Sequence, residues 1–136
     1  MMKSETITIF AMRCDENKVY KGRLEEIDNT LEAKQKFVGG YIEVIRITDD
    51  IDIVLNDEGK LDGLPYNRVW KDKHGNIFDI LVGNVLACRH DNDGNFTSIL
   101  DSDIPVIFEK LPAIVGVIGR NVFVRHEEDL PSYEDD

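Results

Sequence analysis

The stretch GGYIEVIRITDDIDIVLNDEGKLDGLPYNR, residues 39–68, decides the fold of this chain. Successive side chains over residues 41–47 alternate between two faces, which predicts a strand. Thr48-Asp49-Asp50 predicts a tight turn, and residues 51–55 predict the antiparallel partner strand. A second turn follows at residues 56–59, where Asn, Asp and Gly tolerate turn geometry. The stretch therefore predicts a β-hairpin at the centre of the chain.

Upstream of this hairpin we expect a second hairpin and a short helix. β-branched residues alternate over residues 5–13 and 19–27, which predicts two paired strands. Asn29, with Glu32 three residues later, predicts the N-cap of a helix. Gly39-Gly40 ends that helix, because glycine adopts the left-handed conformation without steric cost. So short a helix is marginal alone, and we expect it to pack on the sheet.

Downstream, Leu64-Pro65 interrupts the strand pattern, because proline has no amide hydrogen to donate. We therefore expect residues 66–68 to form an irregular, partly exposed segment. Pro105 is tolerated only in the first turn of a helix, so a helix over residues 102–111 is predicted, with Asp101 or Ser102 as its cap. The further predicted strands lie at residues 69–70, 77–81, 84–90 and 96–99, with a final hairpin at 113–126 and bulges at Gly116 and Gly119.

These elements predict an α+β fold with a mainly antiparallel sheet of about five to seven strands and two short helices. With 136 residues, 42% of them hydrophobic, the chain has the size and composition for one domain with a real core. We place that domain at residues 1–126. Residues 127–136 are predicted to form an acidic, flexible tail, in which Leu130 and Tyr133 are the residues able to dock on a partner.

The net charge of −11 limits the kinds of partner that we expect. Nonspecific nucleic-acid binding depends on basic phosphate contacts, so this acidic chain is not expected to bind nucleic acid in that way. The charge does permit mimicry of DNA on a basic protein surface. The apolar runs are far shorter than the roughly 20 residues of a membrane span, and the first residues lack the pattern of a secretory signal. We expect a cytoplasmic protein without membrane contact.

Neither a metal site nor a catalytic site is predicted. Cys14 and Cys88 stand far apart with no metal-ligand spacing, which favours reduced thiols in a cytosol. The polar run 91–95 lacks the glycine and glutamate positions of an EF-hand and predicts a turn. His74, His90 and His126 are also widely separated. No catalytic residue, cofactor or metal ligand can therefore be assigned from the sequence.

The candidate ligand-binding residues are Tyr41, Tyr66, Asn67 and Arg68. Asn67 offers a donor and an acceptor, Arg68 offers a fork that suits phosphate or carboxylate, and the tyrosine rings offer faces for stacking. The alternative is structural: Asn67 caps a turn and Arg68 pairs with an acid of the preceding turn, Asp57 or Glu58.

Four blocks of the sequence resemble a small family of unknown function that is frequent in bacteriophages and mobile elements of Gram-positive bacteria. They cover roughly half of the chain and are NTLEAKQKFVGGYIEVI (29–45), IVLNDEGKLDGLPYNR (53–68), DILVGNVLA (79–87) and DGNFTSILDSDI (93–104). The resemblance implies an uncharacterised α+β domain in a phage setting, and it implies no activity or catalytic residues.

We therefore expect a non-enzymatic phage accessory protein, located in the host cytoplasm, that sequesters a small nucleotide-type immune signal. Its predicted ligand is a small anionic or nucleotide molecule. One alternative is an acidic inhibitor or DNA mimic that binds a host protein, and another is a small hydrolase. Exposed strand edges and the final apolar hairpin also predict a homodimer or higher homo-oligomer.

Overall fold

The computed structural model describes residues 5–134, which form ten strands, two α-helices and two short 3-10 helices. The strands are β1 (Thr6–Met12), β2 (Arg23–Asp28), β3 (Ile42–Arg46), β4 (Ile51–Asn56), β5 (Tyr66–Lys71), β6 (Ile77–Val82), β7 (Val85–His90), β8 (Phe96–Thr97), β9 (Ala113–Ile118) and β10 (Asn121–Arg125). The helices are α1 (Leu31–Val38) and α2 (Ile104–Lys110), and the 3-10 helices are Asp101–Asp103 and Glu127–Asp129. The α+β class with mostly antiparallel sheet is confirmed.

The strands form two sheets. The larger has the order β2-β1-β7-β4-β3, with β8 also paired to β7, and the smaller has the order β10-β9-β5-β6. Every pairing between named strands is antiparallel. The central hairpin predicted from residues 39–68 is present as β3 and β4, and β4 lies inside the larger sheet. The N-terminal hairpin is β1 and β2.

The larger sheet is covered on both faces, because its strands alternate between two apolar clusters. One cluster contains Ile9, Val54 and Leu86, and it packs against Val38 of α1. The opposite cluster contains Ile53, and it also holds Leu81 of β6, Ile107 of α2 and residue Leu111. The order of layers is therefore α1, the larger sheet, and then β6 with α2.

The N-cap of α1 lies one residue after the predicted cap, Asn29. Thr30 is the N-cap, and its side chain accepts a hydrogen bond from the amide of Ala33 at 3.1 Å. Asn29 instead uses its side-chain oxygen to accept from Lys34 Nζ at 2.8 Å. The predicted end is confirmed, since Gly39 follows the helix with φ of 80°.

The prediction of an irregular segment at residues 66–68 is wrong. Pro65 precedes the strand, so its missing amide hydrogen does not affect the ladder of β5. Tyr66 is opposite Val82 and Arg68 is opposite Leu81, which leaves Asn67 as a bulge residue. The bulge breaks the usual alternation, and both Asn67 and Arg68 are fully buried.

The segment after β10 packs on the domain, which differs from the predicted solvated tail. Leu130 is 5% exposed and lies in a cluster with Val19 and Ala113. The ring of Tyr133 packs edge-on against Tyr20, with centroids 5.3 Å apart. Residues 127–134 thus contact the N-terminal hairpin, whereas Asp135 and Asp136 of the predicted tail lie outside the described residues.

The last predicted elements are present with small shifts. The predicted caps Asp101 and Ser102 belong to the 3-10 helix that precedes α2, and Pro105 lies in the first turn of α2. The final hairpin has its register shift at Phe123/Val124, next to Gly116 on the opposite strand. Gly119 is in the connecting turn with φ of 61° and is not a bulge residue.

Candidate functional site

The four predicted ligand-binding residues do not converge on one site. Tyr41 is 74% exposed and precedes β3 at the edge of the larger sheet. Tyr66 is 51% exposed and begins β5 in the smaller sheet. Asn67 and Arg68 have no exposed surface, because they turn inward beside the bulge. Of these four residues, only Tyr66 lines a groove described below.

Asn67 is held by the backbone of two other segments. Its Nδ2 donates to the carbonyl oxygens of Met12 at 3.0 Å and Gly83 at 2.7 Å. Its Oδ1 accepts from Arg68 Nε at 3.3 Å. The amide therefore ties β1, the β6–β7 turn and β5 together, and its hydrogen-bonding groups are used within the fold.

The guanidinium of Arg68 is also fully engaged. Both of its terminal nitrogens donate to the carboxylate of Glu127, in a bidentate ion pair. The same nitrogens donate to the carbonyl oxygens of Tyr20 at 3.0 Å and Leu111 at 3.5 Å. All five N–H groups thus have acceptors. Arg68 does pair with an acid, but the predicted partners Asp57 and Glu58 are wrong, because the carboxylate comes from Glu127.

A groove of about 1260 Å³ lies against the smaller sheet and is the main candidate site. Its floor is largely apolar and includes Leu64, Ile80, Val82 and Ile114, with the half-exposed ring of Tyr66 beside them. Its walls come from the turn at residues 15–19 and from residues 129–131. An apolar concave surface with a few polar groups at its rim is typical of small-molecule sites.

The rim of the groove carries both signs of charge. Lys60 and Asp79 form an ion pair there. The carboxylate of Asp15 accepts from the Tyr20 hydroxyl at 2.6 Å and from two backbone amides, and the hydroxyl hydrogen bond is the largest factor that lowers its pKa. The rim has two further cations, Lys18 and Arg125. Among residues 5–134, neither has a carboxylate within ion-pair distance. These two cations are the groups available to an anionic ligand.

None of the described residues that line this groove is Ser, Thr, Cys or His. Such side chains supply most nucleophiles and proton-transfer groups of hydrolases. A carboxylate whose pKa is lowered, as in Asp15, is a weak general base near neutral pH. The ionisable side chains of the groove are instead four carboxylates, two lysines, one arginine and one tyrosine.

A second polar cluster lies beneath α1 and is largely buried. Lys34 is 2% exposed, donates to Asn29 and lies over the ring of Phe96 at 4.8 Å, and burial lowers its pKa. On the same face of the sheet, His90 Nδ1 is 2.9 Å from a carboxylate oxygen of Asp52. No pattern in the sequence predicted that a lysine of α1 faces the core. Within residues 5–134, no group of three or more His, Cys, Asp or Glu side chains is arranged to hold a metal ion.

The two thiols are also poorly placed for chemistry. Cys88 is fully buried, and burial raises the pKa of its thiol to about 12. Burial likewise raises the pKa of Cys14 to about 11. Both are free cysteines, as expected from their spacing. High pKa values keep them in the unreactive thiol form near neutral pH.

Sequence reasoning identified Tyr66 but missed the rest of the groove. Its walls come from segments that are distant along the chain, and no motif marks them as neighbours.

None of the helices in residues 5–134 combines the length and apolar character that a membrane crossing requires.

Comparison with known proteins places the main body of the chain in a family. The model of a domain of unknown function, DUF3846, matches residues 9–112. No curated protein and no solved structure matches the chain. The matched residues contain Lys60 and Tyr66 of the groove, whereas β9, β10 and the segment that follows lie beyond them.

Proposed function

The chain belongs to the DUF3846 family of domains of unknown function, and we propose that it is a non-enzymatic binding module that holds a small nucleotide-type ligand in its larger groove. The observation that carries the proposal is the half-exposed ring of Tyr66 beside an apolar floor, with Lys18 and Arg125 at the rim. A base stacks on an aromatic ring, and phosphates are attracted to cations.

The volume of the groove supports this ligand class. About 1260 Å³ exceeds the roughly 300–1,000 Å³ of typical ligand pockets, so a nucleotide with two bases fits within its limits. The lining residues include four acids and three cations, so the groove favours a ligand with a large apolar part over a simple anion. Asn67 and Arg68 have no place in this proposal, because their polar groups are consumed inside the fold.

The biological setting that we propose is that of a phage accessory protein, which sequesters a host immune signal of nucleotide type. This part of the proposal is supported by the resemblance of the sequence blocks alone. Sequestration requires that the ligand leaves the groove unchanged. The lack of Ser, Cys and His among the described lining residues supports storage over conversion.

The test is calorimetric titration with nucleoside triphosphates, cyclic mononucleotides and cyclic dinucleotides. We expect Tyr66→Ala to weaken binding about tenfold, since stacking of one base contributes about 1–3 kcal/mol. Tyr41→Ala is the matched control, because Tyr41 is also exposed but lies outside the groove. Lys18→Ala is expected to weaken binding, whereas Lys36→Ala on the exposed face of α1 is not.

Heat release of the bound molecule separates the functional classes. Chromatography that recovers the intact nucleotide agrees with sequestration, and recovery of a cleaved product indicates the hydrolase alternative. Failure of every nucleotide to bind, or equal binding by wild type and Tyr66→Ala, overturns the proposal.

A protein-binding inhibitor is the second candidate, favoured by the exposed acids of the turn after β4. Asp57, Glu58 and Asp62 are all exposed there. Clustered acids of this kind complement a basic protein surface. Capture of a host protein that is lost in the double variant Asp57→Lys/Glu58→Lys, but kept in Tyr66→Ala, indicates this function in place of ligand storage.

A further inference from the structure

The hairpin β9–β10 exposes apolar side chains that nothing in the described chain covers. Val115, Ile118, Phe123 and Val124 are between 47% and 69% exposed. β9 is in register with β5 only where Ala113 meets Arg68, so most of the hairpin extends beyond that pairing. Exposed apolar residues gathered on one element are a feature of interaction surfaces.

Strand β10 is also the least protected of the four sheet edges. β2 carries Glu25, Glu26 and Asp28, and β3 carries Glu43 and Arg46; such charges discourage edge pairing. On β6, the carboxylate of Asp79 accepts from the amide of Ile80 at 2.7 Å, so one backbone donor is already satisfied.

By contrast, the sequence of β10 is NVFVR, with one charge at its end. Its outer backbone groups face away from β9 and have no strand beside them. The other edge of the smaller sheet, β6, has five apolar residues, but its charged residue Asp79 lies in the middle of the strand. The one charge of β10 is at its end, so the apolar part of its free edge is uninterrupted.

The charge of the hairpin indicates which kind of partner can bind to it. Residues 113–126 contain two arginines and one histidine but no Asp or Glu, in a chain whose net charge is −11. Directly after the hairpin come Glu127, whose carboxylate is paired with Arg68, and the exposed acids Glu128 and Asp129. A basic apolar hairpin followed by acids complements a second copy of itself in antiparallel orientation.

We propose that two copies of this chain pair through β10 about a two-fold axis, which joins their smaller sheets into one continuous sheet. A register centred on Phe123 places Phe123 opposite its symmetry mate and Arg125 opposite Asn121 of the other copy. No like charges face each other across this pairing. Cross-strand Phe123 pairing buries both rings, which are half exposed in the single chain.

The same register determines which residues of the two copies meet at the ends of the hairpin. It places Arg120 of one copy opposite His126 of the other, with Glu128 two positions further along as a diagonal neighbour within reach of a long side chain. Arg120 and Glu128 are both exposed. A groove of about 550 Å³ adjoins β10, and its lining includes Phe108, Val124 and Glu128. Apolar and charged side chains thus lie together next to the edge that the second copy covers.

The test is sedimentation velocity of the full chain over a series of concentrations. We expect the wild type to shift from monomer to dimer as concentration rises. Phe123→Lys places a charge at the centre of the pairing and is expected to abolish the dimer. Val44→Lys is the matched control, because Val44 is similarly exposed on β3, an edge strand of the larger sheet. The Val44→Lys variant is expected to form the dimer as the wild type does.

A charge exchange tests the register independently of folding. Arg120→Glu and Glu128→Arg are each expected to weaken dimerisation about tenfold, since two symmetry-related ion pairs are lost and repulsion is added. The double variant is expected to recover it. A wild type that stays monomeric at every concentration, a dimer that survives Phe123→Lys, or no recovery in the double variant overturns the proposal. The pairing does not depend on any ligand in the larger groove, so the two proposals fail separately.

Discussion

Arg68 and Glu127 are 59 residues apart in the chain, and their side chains form a bidentate ion pair in which Arg68 has no exposed surface. The carboxylate of Glu127 also accepts from the amide of Gly22 at 2.6 Å. The pair therefore fastens the segment after β10 to β5 and to the loop that precedes β2. Its position explains why the acidic C-terminal segment is packed and not solvated.

Removal of the Glu127 carboxylate is expected to destabilise the folded protein. Glu127→Gln leaves a buried guanidinium without its counter-charge, and we expect the free energy of unfolding to fall by about 3 kcal/mol in urea denaturation. Glu109→Gln, at an exposed position of α2, is the control and should change it by less than about 0.5 kcal/mol. Equal stability of the two variants would show that the pair is not formed.

Leu130 provides a separate test of the same segment. Its side chain is 5% exposed and packs against Val19 and Ala113, so Leu130→Ala should lower the free energy of unfolding by about 2 kcal/mol. Leu61→Ala makes the same chemical change at a residue that is 85% exposed, and its effect should be within about 0.5 kcal/mol. If residues 127–134 were solvated, both variants would match the wild type.

Acid stability should depend on Asp103. Arg89 donates to both of its carboxylate oxygens, at 2.7 and 3.0 Å, and this hydrogen bonding is the main factor that lowers the pKa of Asp103. Because the folded pKa lies below the unfolded one, the stabilisation is complete above the unfolded value of about 3.9 and is lost as pH falls through the folded value.

We expect Asp103→Asn to be less stable than wild type at neutral pH and to approach it at low pH, as measured by thermal unfolding across a pH series. Asp101→Asn is the control for the loss of one exposed carboxylate. A difference between wild type and Asp103→Asn that stays constant over the acid range would refute the linkage.

The thiols should react slowly and in a fixed order. Burial raises the pKa of Cys88 from 9.0 to about 12, which lowers its thiolate fraction near neutral pH about 1000-fold, and it raises that of Cys14 to about 11. A colorimetric disulfide reagent should therefore label Cys14 before Cys88 in the native protein, and both rapidly in denaturant. The single variants Cys14→Ser and Cys88→Ser identify each phase. Rapid native labelling of Cys88 would contradict its burial.

Local features of the fold could be predicted from the sequence, because they depend on residues that are neighbours in the chain. The alternation of residues 41–55 predicted β3 and β4. Gly39 predicted the end of α1, and its φ is positive in the structure. Helix α2 followed from Pro105 and Pro112. The N-cap was placed one residue early, because Asn29 and Thr30 are both good caps and only the packing of Lys34 decides between them.

By itself, the sequence determined the α+β class, the central hairpins and the family resemblance, since side-chain period and turn residues act over a few positions. Only the tertiary structure decided that Arg68 is a buried anchor for Glu127 and that Tyr66 faces a groove. A charged side chain is buried or exposed according to whether a distant segment supplies its counter-charge, and that pairing has no local signature in the chain.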